Sequence, residues 1–205
     1  MSTDRELILG RVRDALAPLE KRAPLPDWES ELVVLREARG AVDPWTLFSA
    51  RLKGVNGTPL TSVAALLPVL REAKALRGYC DPALWPRLQA AFPAAEFTVE
   101  TEFDRTRVDD FAFGITRATA AIAETGTLIL SDRDTSRRLG ALAPWVHVAV
   151  LRREDIHVDI PAALAAMPDD PNLIWVTGPS KTADVEGILI EGVHGPGLQV
   201  ALLLE

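Results

Sequence analysis

Short apolar runs alternate with helix-like segments along most of this chain, and this alternation predicts the fold class. In the second half, apolar runs bounded by Gly, Pro, Asp or Ser predict strands at 118–123, 127–130, 146–151, 173–177 and 198–204. Uninterrupted runs of this kind are typical of strands buried on both faces. The helix-like segment 160–167 predicts a crossover helix between the third and fourth of these strands. We therefore expect an α/β fold with a mostly parallel sheet flanked by helices.

The first half of the chain divides into a helical extension and the start of the α/β domain. Apolar positions at helical spacing predict an amphipathic helix over 4–19 with Asp4 as its N-cap. We expect residues 1–55 to form an N-terminal helical extension and 56–205 to form the α/β domain, packed as one compact domain. Within the domain the pattern then predicts a helix at 61–74, a strand at 75–79, a helix at 81–92 and a strand at 97–100.

Composition and charge narrow the classes of partner. The chain is 48% hydrophobic and 25% charged, which predicts an ordinary packed core. Its net charge of −7 argues against nucleic acid as a partner, because phosphate neutralisation needs clustered positive charge. The first residues are charged where a signal peptide is apolar, and no run of roughly 18 apolar residues predicts a membrane span. We expect a cytoplasmic protein.

The metal-binding residue types are few and poorly spaced. Cys80 is the only cysteine, so the chain cannot supply the several thiolates that an iron–sulfur cluster requires. His147, His157 and His194 form no metal-ligand spacing, and we expect no metal site and no cofactor bound by this chain. His147, inside a strand, is expected to be packed or at the surface. His194 is the better functional candidate because it lies in a glycine-bearing turn.

The first turn with a functional reading is Ala-Glu-Thr-Gly-Thr at 123–127. As a tight turn between strands, it needs only Gly126 at positive φ. As a site, it offers Glu124 as a general base, nucleophile or hydrogen-bond acceptor, with Thr125 and Thr127 orienting a ligand. An acidic residue at a strand end needs solvent or a partner, and Lys181 would provide one if the two turns face one crevice.

The second turn, Thr-Gly-Pro-Ser-Lys-Thr-Ala-Asp at 177–184, directly follows an apolar strand. If a helix begins there, backbone N–H groups with Ser180, Lys181 and Thr182 can converge on a phosphate or carboxylate. In the alternative reading the turn is purely structural: Gly178 and Pro179 end the strand, and a hydroxyl caps the next helix. The sequence leaves both readings open. The glycine-bearing segments that follow add the last site candidates, Asp184, Glu186 and His194.

These motifs together resemble the lactate-utilisation protein C family (LutC/YkgG), whose members carry a LUD domain. The resemblance is carried by Gly-Ile-Thr at 114–116, Ala-Ile-Ala-Glu-Thr-Gly-Thr at 121–127, Thr-Gly-Pro-Ser-Lys-Thr-Ala-Asp-Val-Glu-Gly at 177–187 and Gly-Val-His-Gly-Pro at 192–196. The motifs occur in the family's order from about residue 110 to the C-terminus. The first hundred residues carry no motif of the family.

The resemblance implies a fold, a role and partners. It implies an α/β fold similar to the NagB, RpiA and CoA-transferase superfamily, with ligands at the carboxyl ends of strands, where open α/β sheets generally bind them. It implies an accessory, iron–sulfur-free part in oxidising L-lactate to pyruvate, with the clusters on partner proteins. Because that superfamily hosts several chemistries, a non-catalytic subunit and a protein acting on a carboxylate, sugar phosphate or CoA ester through Glu124, Ser180 and Lys181 both stay open.

Overall fold

A computed structural model describes residues 3–19, 42–131, 138–167, 170, 172–183 and 188–204. The chain divides into two compact units, Met1–Ala38 and Arg39–Glu205. In the first, helix α1 (Asp4–Leu16) begins after Thr3, whose side chain accepts from the Glu6 backbone N–H while the Glu6 carboxylate accepts from the Thr3 backbone N–H. This capping box makes Thr3, rather than the expected Asp4, the N-cap.

The second unit contains the α/β fold. Its helices are α2 (Pro44–Gly54), α3 (Val63–Glu72), α4 (Trp85–Leu88), α5 (Arg138–Leu142) and α6 (Ile160–Ala166). Its strands are β1 (Thr58–Leu60), β2 (Arg77–Cys80), β3 (Thr98–Glu100), β4 (Phe113–Arg117), β5 (Ala120–Ile122), β6 (Thr127–Ser131), β7 (Val146–Leu151), β8 (Ile156–His157), β9 (Leu173–Val176), β10 (Lys181–Ala183), β11 (Leu189–Glu191) and β12 (Leu198–Leu203).

The central sheet has six strands in the order β1-β12-β7-β4-β2-β3, and every neighbouring pair is parallel. Strands of a parallel sheet need crossover connections, and α3 supplies the connection between β1 and β2, which are not neighbours in the sheet. Of the two caps that the sequence offers, Thr61 and Ser62, it is Ser62 that caps α3, since its hydroxyl accepts from the Ala65 backbone N–H. The α/β prediction with a mostly parallel sheet flanked by helices is confirmed.

A second sheet of four strands carries the motif turns. Its order is β8-β5-β6-β9, with β5 and β9 both antiparallel to β6 and β8 parallel to β5. The expectation that α6 crosses between two strands of one sheet is therefore wrong, because β7 lies in the central sheet and β9 in this one. An apolar run marks a buried strand but does not show which sheet it joins.

The two faces of the central sheet bury different partners. Successive side chains of a strand point to opposite faces. Along β7, Val146, Val148 and Val150 belong to the cluster that includes α3, whereas Ala149 and Leu151 belong to the cluster that includes α2 and the second sheet. The motif turns therefore belong to the second of these two layers.

Helix α2 belongs to the α/β unit. Asp43 caps it, Pro44 occupies its first turn, and it buries Phe48 and Leu52 in the cluster shared with the second sheet. From the sequence we expected these residues in the N-terminal extension of 1–55, whereas the division between the units falls at residues 38 and 39. The apolar face of α2 alone does not show what it packs against. Within the described residues, no helix is both long and apolar enough to span a bilayer.

Candidate functional site

The turns that carry the sequence motifs lie near the amino end of the central sheet. Gly178 approaches the Val55 carbonyl, just before β1 begins, so closely that a Cβ there would overlap it. Gly192 and Gly197 pack in the same way on the ring of Trp145, which immediately precedes β7. Because all strands of this sheet are parallel, their amino ends share one edge. The resemblance led us to expect ligands at the carboxyl ends of strands, whereas these turns follow strands of the second sheet and lie at the amino end of the central sheet.

Glu124 contacts the start of helix α6, whose N-cap is Asp159. Its Oε1 accepts a hydrogen bond of 3.0 Å from the Ile160 backbone N–H at the start of α6, and its own N–H donates to the Val158 carbonyl. A carboxylate is favoured there by the unpaired N–H groups of the first helical turn. Gly126 has φ = 68°, as the tight-turn reading requires. The catalytic role of Glu124 stays a prediction.

A chain of threonine hydroxyls joins the two motif turns. Thr125 Oγ1 lies 2.7 Å from Thr127 Oγ1, which lies 2.8 Å from Thr177 Oγ1. The pairing of β6 with β9 brings the last two together, since Leu128 is opposite Val176. Thr125 and Thr127 thus hold the turns against each other.

Lys181 has different surroundings from those predicted. Residues 181–183 form β10, paired antiparallel with β11, so the helix start expected there is wrong. The Lys181 ammonium donates to the Val55 carbonyl at 3.1 Å and lies 3.5 Å from the Glu191 carboxylate. Glu191 also accepts from the Asn56 amide at 2.7 Å. Lys181 therefore ties the β10–β11 hairpin to the end of α2, through Val55 and Glu191 rather than through the Glu124 partner expected from the sequence.

A cleft of about 270 Å³ lies beside the second turn. Of the site residues predicted from the sequence, Gly178, Ser180 and His194 line it, whereas Glu124, Thr125, Gly126, Thr127, Lys181 and Thr182 do not. The Ser180 backbone N–H donates to the Pro196 carbonyl at 2.9 Å, which brings the His194 loop against this turn. Asp184 and Glu186 lie outside the described residues.

Three buried polar side chains on adjacent central strands reach the cleft at Gln199. Thr116 Oγ1 lies 2.9 Å from His147 Nε2, and His147 Nδ1 lies 2.9 Å from Gln199 Oε1. At most 2% of each residue is exposed. Gln199, which lines the cleft, and Thr116 were missed by the sequence analysis. The available signal was a polar residue inside each of three apolar strands, because such a residue needs a buried partner.

His147 is uncharged in this network. Burial lowers its pKa to about 4, against the raising effect of the Gln199 hydrogen bond. Neutral imidazole has one donor and one acceptor nitrogen. Of the two positions expected for His147, packed or at the surface, the structure shows the packed one, fully buried.

The cysteine lies in the core. Cys80 is buried, and this burial raises its pKa to about 12, so it stays a thiol near neutral pH. Among the residues that the structure describes, no group of three or more His, Cys, Asp or Glu side chains is placed to hold a metal ion.

The fold and these turns define an α/β protein of the LUD class, and the comparisons agree. The LUD domain model matches residues 86–204, so the chain belongs to the LUD-domain family. The chain is 34% identical over 119 residues to lactate utilization protein C of Deinococcus radiodurans, covering 52% of this chain and 56% of that one. It is 35% identical over 92 residues to lactate utilization protein C of Oceanobacillus iheyensis, covering 40% and 39%. The chain thus spans about half the length of the curated relatives it matches.

A solved structure shares the fold. The crystal structure of a DUF162 family protein from Deinococcus radiodurans superposes with a TM-score of 0.53 at 24% identity, covering 81% of this chain and 98% of that one. At this identity the likeness concerns the fold alone. The family resemblance read from the motifs is confirmed.

Proposed function

We propose that this chain is an accessory, iron–sulfur-free component of a bacterial system that oxidises L-lactate to pyruvate. The observation that carries the proposal is its place in the LUD-domain family, together with relatives named lactate utilization protein C. Those names describe the relatives, and the role of this chain follows by its likeness to them.

The thiol chemistry of the chain supports a division of labour. Oxidation of lactate to pyruvate removes two electrons and two protons, which an acceptor has to take up. Iron–sulfur clusters are held by several cysteine thiolates, whereas this sequence has one cysteine, buried and with a raised pKa. We therefore assign the clusters to partner proteins and give this chain a role in binding or assembly.

Small-molecule binding is a second candidate function, and the cleft favours it. Pockets for drug-sized ligands enclose roughly 300–1,000 Å³, so about 270 Å³ suits a small metabolite better than a CoA ester or nucleotide. Of the described residues that line the cleft, none is Lys or Arg, the side chains that usually grip phosphate. This favours the carboxylate among the ligands that the sequence left open.

Complementation tests the proposed function. A Deinococcus radiodurans strain without its lactate utilization protein C would receive the gene for this chain, an empty vector or its own gene. We expect this chain to restore growth on L-lactate as sole carbon source, while all three strains grow equally on another carbon source. Growth restored by the host's own gene but not by this chain, despite equal protein levels, would contradict the proposal.

A further inference from the structure

Gln199 lines the cleft, and its hydrogen bonds fix which way its amide points. The Gln199 Nε2 donates to the Val200 carbonyl at 3.1 Å and to the His147 carbonyl at 3.4 Å. Both amide hydrogens are thus directed at backbone oxygens, and the opposite orientation would set the amide oxygen against them. The Oε1 atom therefore faces His147 Nδ1, which has to carry the proton between them.

The remaining contacts of His147 hold this arrangement in place. With its proton on Nδ1, the neutral ring accepts at Nε2, and the Thr116 hydroxyl donates to it. An amide oxygen has two lone pairs, and the His147 bond uses one of them. Gln199 can accept one more hydrogen bond and has no hydrogen left to donate.

The rim of the cleft has different chemistry. Ser180 and His194 bring a hydroxyl and an imidazole, both able to donate to an anion. A side chain at Gly195 would lie 3.5 Å from Ser180 Oγ, so the His194 loop packs directly on Ser180. Trp175, Ile174 and Leu142 supply apolar walls. A molecule with a carboxylate, a short apolar part and a hydroxyl matches all three features.

We propose that the cleft binds a small 2-hydroxy monocarboxylate, with Ser180 and His194 at the carboxylate and Gln199 Oε1 accepting from the hydroxyl. This inference rests on the proposed function and names the ligand class of its cleft. His147 is a positioning residue that acts through Gln199. An acceptor at the hydroxyl position favours the hydroxy acid over the corresponding 2-oxo acid, whose carbonyl has nothing to donate, and over the unsubstituted acid.

Calorimetry with three matched ligands tests the proposal on the purified full chain. L-Lactate, pyruvate and propionate share the carboxylate and carbon chain and differ at the second carbon. One hydrogen bond raises an affinity by up to roughly tenfold. We therefore expect L-lactate to bind several-fold to about tenfold more tightly than pyruvate or propionate. Equal affinity for L-lactate and propionate, or no binding of L-lactate up to tens of millimolar, would overturn the proposal.

Variants assign the preference to the buried chain. Gln199→Leu should bring the affinity for L-lactate down to that for propionate, and Gln89→Leu, at an exposed glutamine, should leave the preference intact. His147→Leu should weaken the preference, whereas His147→Asn, which keeps a donor near Nδ1, should retain most of it. A preference unchanged in folded Gln199→Leu would overturn the assignment.

A measurement on the unaltered protein covers the case in which the core variants do not fold. The His147 Nδ1 proton, followed by NMR, should shift with L-lactate and not with propionate at equal occupancy, because only lactate adds a bond to the Gln199 oxygen. Equal shifts with both would count against the proposal. If the complemented strain grows on L-lactate but the cleft shows no preference for L-lactate, the proposed function stands and this inference fails. If the cleft prefers L-lactate but the strain does not grow, only the proposed function is rejected.

Discussion

His147 is buried completely, and its partners decide its chemistry. An unpartnered buried imidazole would lose its hydrogen bonds to water, but Thr116 and Gln199 satisfy both ring nitrogens. The same burial strongly disfavours the charged form, so its pKa falls from 6.5 to about 4. At mildly acidic pH the unfolded chain binds a proton at His147 and the folded chain does not, so the protein loses stability there.

The pH dependence of stability follows from this difference. As the pH falls below about 6.5 the unfolded state binds the proton first, so stability is lost until the pH reaches about 4. Between pH 7 and pH 5 the loss should be about 2 kcal/mol. Urea unfolding of the wild type and His147→Asn at both values checks it, with the variant expected to lose that much less. Parallel pH dependences in the two proteins would refute the account.

The choice of pH 5 separates His147 from the carboxylates. The Arg71 guanidinium, by hydrogen bonding, lowers the pKa of Glu96 below its ordinary value of 4.5. A group of this kind loses its stabilising contribution mainly below pH 4.5, as the pH falls toward its folded pKa. The loss between pH 7 and pH 5 is therefore mostly that of histidine.

The glycines of the motif turns could be recognised from the sequence more readily than the three buried polar side chains that reach the cleft at Gln199. Gly126 was expected at positive φ because a tight turn demands it, and that is a local property. Thr116, His147 and Gln199 come together only because three strands far apart in sequence are neighbours in the sheet. Without the strand order, a polar residue in an apolar run does not reveal its partner.

At the scale of elements, the two motif turns pack against the C-terminal part of α2. Gly126 packs on the backbone of Leu52 within α2, and Gly178 packs on the Val55 carbonyl just after it. Both glycines have positive φ, at 68° and 77°. A side chain at either position would meet unfavourable backbone geometry and a steric clash together.

A matched pair of substitutions measures this packing. Gly126→Ala should lower the free energy of unfolding by roughly 2 kcal/mol or more, because its Cβ would overlap the backbone of Leu52 in an unfavourable conformation. Gly54→Ala, in α2 itself, has no atom within 4 Å of its Cβ and should change stability by less than about 1 kcal/mol. Denaturant unfolding compares the two, and equal effects would show that the turn tolerates a side chain.

The helix expected after Pro179 shows why local patterns fail at this element. Ser180 and Thr182 are good helix caps, but residues 181–183 pair with 189–191 as a hairpin. Hydrogen bonding to a partner strand outweighs a local capping preference. The sequence of the turn itself does not indicate where that partner strand lies. The existence of β7 and β12 was predictable because their apolar runs are long and continuous.

At the scale of the whole α/β unit, the second sheet places the motif turns at the amino edge of the central sheet. Family motifs revealed which residues belong to the turns, whereas only the topology revealed the edge on which they meet. The carboxyl-end rule concerns loops that follow central strands, and these turns follow strands of the other sheet. We base the proposed role, an accessory component of lactate oxidation, on the family membership and on the cleft that Gln199 lines.

Reconstitution tests that account most directly. Extract from Deinococcus radiodurans lacking its lactate utilization protein C would be assayed for L-lactate-dependent reduction of an electron-acceptor dye, with and without this purified chain. The account predicts that the chain alone reduces no dye, and that adding it to the extract restores the lactate-dependent rate. A rate restored by the host's own protein but unchanged by this chain would contradict the account.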